Sequence, residues 1–374
     1  MQIDAYVVET KNAPFVQETL ELDAPGPGEI LVRVVGTGVC HTDMNTQSGD
    51  MPLPLPGVLG HEGSGVVEKI GPDVTSVQIG DHVVMGWPFC GECRNCVRGE
   101  HRYCERIGEA LVGGHRLKGP KAGESGYTRQ DGSKLSGHFF GQSSFATYSL
   151  ALASAVVVVD KDIPLELVGP LACGITTGAG AIFNTAKPQA GESVVIFGAG
   201  AVGLAAIMAA KNTPATRIIA IDLHDSRLEL AKELGATDTI NSGAVDPVEE
   251  ILRINGGPAD YVLDCTGVIS VIEKAMEAVG MLGTMILIGG APVDASFSLD
   301  HFRTLWGQRV VGTLGGSGTS AQLIPALLEL YKQGRFPFDR LIKTYGFNQI
   351  DTAIEEAGTG ATIKPVLLLN TDAN

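Results

Sequence analysis

Basic residues are scarce in this 374-residue chain: 27 Lys and Arg stand against 42 Asp and Glu, a formal charge of −15. So acidic a surface repels phosphate backbones and anionic lipid headgroups, which argues against nucleic-acid and membrane-surface roles. Charged residues make up only 18% and hydrophobic residues 44%, which excludes a disordered chain. Met1 to Pro14 lacks a basic start followed by an apolar core, so no secretory leader is expected. Internal repeats, heptad runs and low-complexity tracts are missing as well. The longest apolar run, Val194 to Ala210, is about the minimum for a membrane span. Gly198, Gly200 and Gly203 punctuate it at motif spacing, so it reads as a buried strand entering a buried helix. The expectation is a soluble, cytoplasmic protein of two or three domains, at roughly 150 residues each.

Seven cysteines, an odd number in a chain expected to be cytosolic, argue against a disulfide framework. Cys90, Cys93, Cys96 and Cys104 crowd into CGECRNCVRGEHRYC. Four thiolates at one point make a closed tetrahedral zinc site, a scaffold with no position left for substrate. An iron–sulfur cluster is not excluded by spacing alone, whereas a redox pair would not need four sulfurs. Cys40, Cys173 and Cys265 are scattered. Cys40 follows a strand-like run, Ile30 to Val35, after which Gly36 and Gly38 are expected to turn the chain. His61 and Glu62 lie in LGHEGSGVVEKIG, and Cys173 precedes a helical run. Taken singly, each also reads as an inert core residue, and spacing does not show that Cys40, His61 and Cys173 converge.

The glycine loop is more informative. GESVVIFGAGAVGLAAIMAAK supplies a strand, Ser193 to Phe197, then Gly198-x-Gly200-x-x-Gly203, then a helix of small apolar residues. Gly198 permits a tight turn, Gly200 lets backbone amides approach a pyrophosphate, and Gly203 lets helix and strand pack closely. A second strand, TRIIAID, ends in Asp222, 19 residues beyond Gly203. A carboxylate there accepts hydrogen bonds from ribose hydroxyls and repels a 2′-phosphate, favouring NAD over NADP; nearby Arg227 weakens that preference. Further strands alternate with helical stretches at Ser226–Leu234 and Ile269–Val279, which indicates a parallel doubly wound sheet. Residues 1–165 read instead as short strands with Pro- and Gly-rich turns, and 106–140 as a polar lobe of loops and hairpins. The expected architecture is therefore α/β: a dinucleotide domain, residues 166–312, inserted in a β-rich domain made from 1–165 and 313–374. Function is expected in the cleft between them.

These features resemble the zinc-containing medium-chain alcohol dehydrogenases. The signature GHE-x-x-G-x-x-x-x-x-G-x-x-V falls on Gly60, His61, Glu62, Gly65, Gly71 and Val74. With the four-cysteine lobe, CHTD and the glycine loop, the likeness spans nearly the full chain. FFGQSSFATY, GPLACGITTGAGA and GRFPFDRLI are similar to the benzyl- or aryl-alcohol branch, which also holds enzymes for terpene alcohols such as geraniol. The resemblance implies a Rossmann domain inserted in a GroES-like catalytic domain, NAD as cofactor, and two zinc ions, one catalytic and one structural. It implies reversible oxidation of a small primary aromatic or allylic alcohol to its aldehyde.

Residue by residue, it implies Cys40, His61 and Cys173 as catalytic-zinc ligands with one open position. Glu62 matches a carboxylate that transiently approaches the metal, and Asp43 one that orients the ligand histidine. Thr42 matches the hydroxyl that hydrogen-bonds the alcohol oxygen and starts the proton's exit. His41 and Lys364 match cationic pyrophosphate contacts, and Thr177 and Val202 match positions against the nicotinamide ring. A histidine at 41 is less reliably charged than arginine, so weaker NADH binding is expected. Asn45 stands where well-known members carry a proton-passing histidine; an amide cannot titrate near neutrality, so water or another group must finish the relay. Trp87 is either a wall of the substrate pocket or core. The rival readings are a polyol or short aliphatic alcohol enzyme, an enzyme with permanently bound NAD, and a non-catalytic dinucleotide-binding protein. The exposed side of RVVGTL suggests a homo-oligomer, dimer or tetramer.

Overall fold

Runs of Val, Ile and Leu broken by Gly and Pro become strands throughout the first part of the chain. The computed structural model describes residues 1–369 and divides into two compact units. The first comprises Met1–Cys173, Thr319–Pro325 and the residues from Asp339; the second comprises Gly174–Gly318 and Ala326–Phe338.

In the first unit the strands form two sheets. The larger runs, in spatial order, Val156–Val159, His82–Met85, Glu62–Ile70, Glu29–Gly38, Lys364–Leu368 and Ile342–Gly346, with Tyr148–Leu152 also paired to Glu29–Gly38. Lys364–Leu368 therefore closes onto a strand more than 300 residues earlier, pairing Val366 with Gly38. The core between the sheets holds Ile30, Val32, Leu59, Met85, Phe139 and Phe145, all fully buried. Gly36 and Gly38 do not turn the chain as expected but lie inside the strand Glu29–Gly38. Their lack of a side chain serves close approach. A Cβ on Gly36 would stand 2.3 Å from the Glu166 carbonyl oxygen, and one on Gly38 only 2.1 Å from the Glu62 carboxylate.

The second unit holds a six-stranded all-parallel sheet ordered Asp238–Asn241, Arg217–Asp222, Ser193–Phe197, Ala259–Asp264, Val279–Leu287 and Arg309–Gly312. Helices Ala201–Lys211, Asp225–Leu234, Pro247–Asn255 and Ile269–Met276 alternate with the strands. Ser193–Phe197 is buried at every position, as a central strand covered on both faces requires. The helix expected over Ile269–Val279 stops at Met276, and Val279 begins the next strand by pairing with Ala259.

The expected domain borders shift. Residues 166–173 stay with the first unit because Gly169 packs against the strand Glu62–Ile70; a Cβ there would meet the Glu62 carbonyl at 2.2 Å. Residues 313–318 go with the second, where Asn184 Nδ2 donates to the Gly316 carbonyl at 2.9 Å. Among the described residues no helix is long and apolar enough to cross a membrane.

Candidate metal centre and dinucleotide site

Cys40 ends the strand-to-helix turn before the short helix His41–Gln47, and the helix start explains its neighbours. Asp43, in the first turn, reaches back so that its Oδ2 accepts the Cys40 N–H at 3.0 Å, the acidic half of a capping box. Its Oδ1 accepts the Gly60 N–H at 3.1 Å and lies 3.0 Å from His61 Nδ1. Asp43 and His61 are both fully buried. The carboxylate thus caps a helix and sets the imidazole, leaving His61 Nε2 as a buried nitrogen without a partner among the described residues. Donor atoms of Cys40, His61, Glu62 and Cys173 all lie within 4.8 Å of one another. Two sulfurs and an imidazole whose Nε2 has no other partner among the described residues are a donor set of zinc, so the residues fit the metal. Contact with Cys173 and the charge of Lys364 hold the Cys40 thiol well below its usual range; Cys173 is correspondingly raised.

Glu62 is held differently from the three other donors. Its two carboxylate oxygens accept from Lys364 Nζ at 3.0 and 2.9 Å, and the same ammonium reaches the Val39 carbonyl at 3.3 Å. Burial pushes the Glu62 carboxyl up to about 7, with Lys364 opposing. Lys364, expected at the cofactor's pyrophosphate, is buried with its donors turned to Glu62 and Val39. His41 is exposed, Thr42 half-buried with its Oγ1 3.7 Å from Cys40 Sγ, and Asn45 exposed.

Sequence reasoning missed Gln142. It is fully buried, accepts the Gly63 N–H at 2.9 Å, and donates to the carbonyls of His61 and Met85 at 2.9 and 2.8 Å. It pins the backbone on both sides of Glu62. The signal was the polar triplet Gln142-Ser143-Ser144 inside an apolar run. Phe140 packs on the His61 ring at 4.5 Å, and Trp87 meets Phe140 edge-on at 5.1 Å.

Cys90, Cys93, Cys96 and Cys104 also converge, with sulfurs within 4.8 Å of one another and Cys90 Sγ to Cys96 Sγ at 3.8 Å. Zn–S bonds of about 2.3 Å in a tetrahedron put sulfurs about 3.8 Å apart, whereas a disulfide needs about 2.0 Å. Backbone N–H groups of Cys90, Cys93 and Glu105 donate to sulfurs of Cys104, Cys90 and Cys93 at 3.4, 3.3 and 3.4 Å, an arrangement that favours thiolates. This cluster fits a closed, structural zinc ion.

In the second unit the glycines behave as their spacing implied. Gly198 has φ 92°, and a Cβ on Gly203 would lie 1.8 Å from the Gly198 carbonyl oxygen. Gly200 precedes the helix Ala201–Lys211, and a Cβ there would meet no described atom within 4 Å. That open space before free helix amides fits a dinucleotide's pyrophosphate. Asp222 Oδ2 accepts the Ala199 N–H at 2.7 Å and Oδ1 the His224 N–H at 3.0 Å, which presses the carboxylate against the loop; Arg227 stands 3.8 Å away. Thr177 and Val202 are brought onto neighbouring helices, since Gly178 packs with its α-carbon against the Val202 carbonyl.

Comparison with known proteins agrees with this geometry. Residues 26–161 match the alcohol dehydrogenase GroES-like domain and 201–333 the zinc-binding dehydrogenase domain. Geraniol dehydrogenase of Castellaniella defragrans is 39% identical over 370 residues, 97% of each chain. S-(hydroxymethyl)glutathione dehydrogenase of Paracoccus denitrificans is 33% identical, covering 98% of this chain and 100% of that one. The crystal structure of benzyl alcohol dehydrogenase from Acinetobacter calcoaceticus superposes with a TM-score of 0.94 at 42% identity over 99% of both chains. The chain belongs to the zinc-containing medium-chain alcohol dehydrogenases, with a GroES-like domain and a Rossmann-type NAD-binding domain. It is a zinc-dependent alcohol dehydrogenase that uses NAD.

Proposed function

We propose that the protein interconverts primary aromatic or allylic alcohols and their aldehydes, with Cys40, His61 and Cys173 holding the catalytic zinc. The observation that carries this reading is the orphaned His61 Nε2 beside two thiols, under the rings of Phe140 and Phe139. Zinc held there would supply Lewis acidity toward an alcohol hydroxyl, and NAD would supply the hydride acceptor. Asp43 holds His61 in the tautomer that presents Nε2. Thr42 Oγ1 would accept the alcohol's proton while giving its own to water or another group, because Asn45 is an amide and does not titrate near neutrality. Lys364 holds Glu62 by both oxygens, keeping that carboxylate in reserve. Gly198, Gly200 and Gly203 shape the pyrophosphate cradle, Asp222 and Arg227 set the ribose end, and Thr177 and Val202 face the nicotinamide; exposed His41 adds a weak cationic contact.

Rings next to His61 favour a flat apolar substrate over a polyol, which would need several hydrogen-bonding groups there. A cytoplasmic location belongs to the same reading, because none of the seven cysteines is in a disulfide and six of them make up the two metal clusters. So does homo-oligomerisation. Arg309–Gly312 is an edge strand, and Met281, Leu282, Leu305 and Trp306 are 72%, 71%, 66% and 55% exposed. Initial rates with benzyl alcohol, geraniol, ethanol, sorbitol and S-(hydroxymethyl)glutathione, each with NAD and NADP, test the substrate class. Benzyl alcohol or geraniol with NAD should lead; a lead by sorbitol, ethanol or the glutathione adduct overturns the reading.

A further inference from the structure

The first unit buries two arginines, Arg102 and Arg116, at 3% and 4% exposure. The fold compensates only one of them. Arg116 lies 2.9 Å from Glu29 and 3.2 Å from Asp23. Arg102 has no carboxylate among the described residues. Its Nη2 donates to Ser320 Oγ at 3.0 Å, its guanidinium carbon sits 4.2 Å over the Trp87 ring, and its Nη1 has no partner among the described residues. Trp87 Nε1, also buried, is a second donor without one. The ring face attracts the cation but accepts no hydrogen bond from Nη1.

A buried cation without an anion is among the least favourable arrangements a fold can hold, and it persists where a ligand completes it. These donors stand beside the metal centre: Arg102 lies over Trp87, Trp87 contacts Phe140, and Phe140 contacts His61. A hydroxyl or carbonyl would accept the hydrogen bonds yet leave the charge uncompensated, whereas a carboxylate does both, with a shape the planar guanidinium matches.

We propose that Arg102 and Trp87 form a carboxylate-binding subsite, so that the preferred substrate is an aromatic alcohol, or its aldehyde, that also bears a carboxylate. This rests on the alcohol-oxidising reading of the adjoining metal site. The test compares kcat/KM for 4-(hydroxymethyl)benzoate and for benzyl alcohol in the zinc-loaded enzyme and in Arg102→Met, a variant that retains the stem packed on Trp87. Wild type should favour the acid, and the acid-to-neutral ratio should fall roughly 10–100-fold in the variant, the effect of losing a charged hydrogen-bond partner. Two zinc ions per chain and an undiminished melting temperature in Arg102→Met show that the fold survives; a merely structural arginine would lower the melting temperature.

Binding is read separately in a Trp306→Phe background, where Trp87 is the one remaining tryptophan. Benzoate should quench its emission, chloride at the same concentration should not, and Arg102→Met should abolish the response. A wild-type preference for benzyl alcohol, an unchanged ratio in the variant, or equal quenching by chloride overturns the subsite. If neither alcohol is oxidised, it is the alcohol-oxidising reading that fails, and the benzoate titration then decides the subsite by itself.

Discussion

Replacing Asp43 by Asn removes one charge and adds no volume, which makes it the sharpest probe of the metal centre. The carboxylate accepts three contacts: Cys40 N–H on one oxygen, Gly60 N–H and His61 Nδ1 on the other. An amide satisfies one side only. With its oxygen toward Gly60 and His61, its NH2 faces the Cys40 N–H, donor against donor; flipped, it loses the other two. At least one donor is orphaned either way, at about 1–3 kcal/mol. The distortion falls on Cys40 and His61, two of the three proposed ligands. Since about 1.4 kcal/mol is tenfold, zinc at this centre should be held 10–100-fold less tightly, the range seen when partners of a ligand histidine are removed. Asp43→Ala orphans all three donors and should weaken it further. The assay is zinc release to a chromophoric chelator, with zinc per chain counted by mass spectrometry. The four-cysteine lobe is an internal control, because Asp43 does not contact it. One ion should leave the variant rapidly while the other stays as slow as in wild type. Equal release of both ions from Asp43→Asn and wild type would refute the assignment of Asp43 as the group that sets His61.

Three further outcomes are expected. Gly203→Ala drives a Cβ to 1.8 Å from the Gly198 carbonyl and should lower the melting temperature and abolish NADH binding, whereas Gly200→Ala, which meets no described atom, should fold normally and lose only NADH affinity in a fluorescence titration. His138 is kept neutral by burial and by the Arg116 charge, which pull its pKa down to about 3. Its folded value lies below the unfolded value of about 6.5, so the unfolded chain binds the extra proton; stability present above pH 6.5 is lost as pH falls toward 3, by about 1.4 kcal/mol per unit. His138→Gln should flatten the urea-unfolding free energy between pH 7 and 5 by that slope, and an identical slope in both proteins would exclude the assignment. Trp306→Glu places a charge in the exposed apolar patch and should shift the sedimentation coefficient to that of a monomer; an unchanged coefficient puts the subunit contact elsewhere.

The local features were legible because their physics is local. Ser193–Phe197, the three glycines and Asp222 lie within one strand–loop–helix–strand passage, and each glycine answers to a turn or approach a few residues away. The four cysteines of the lobe likewise lie within 15 residues, so short chain segments bring them together. Cys40, His61 and Cys173 were identifiable only through family likeness, since spacings of 21 and 112 residues carry no geometric information.

Three matters were left to the tertiary structure. Gly36 and Gly38 looked like turn residues; they are strand residues whose missing side chains make room for Glu166 and the Glu62 carboxylate. Lys364 was legible only as a cofactor contact by family likeness; that pairing of the last strand with Glu29–Gly38 also carries it 302 positions back onto Glu62 was not. Nothing in residue order marked Arg102, and burial over Trp87 without a carboxylate among the described residues is what sets it apart. A charge's partner is chosen by packing between distant segments, which residue order does not encode. Which ionic groups are paired and which are left waiting for a ligand was therefore decided only when the sheets closed.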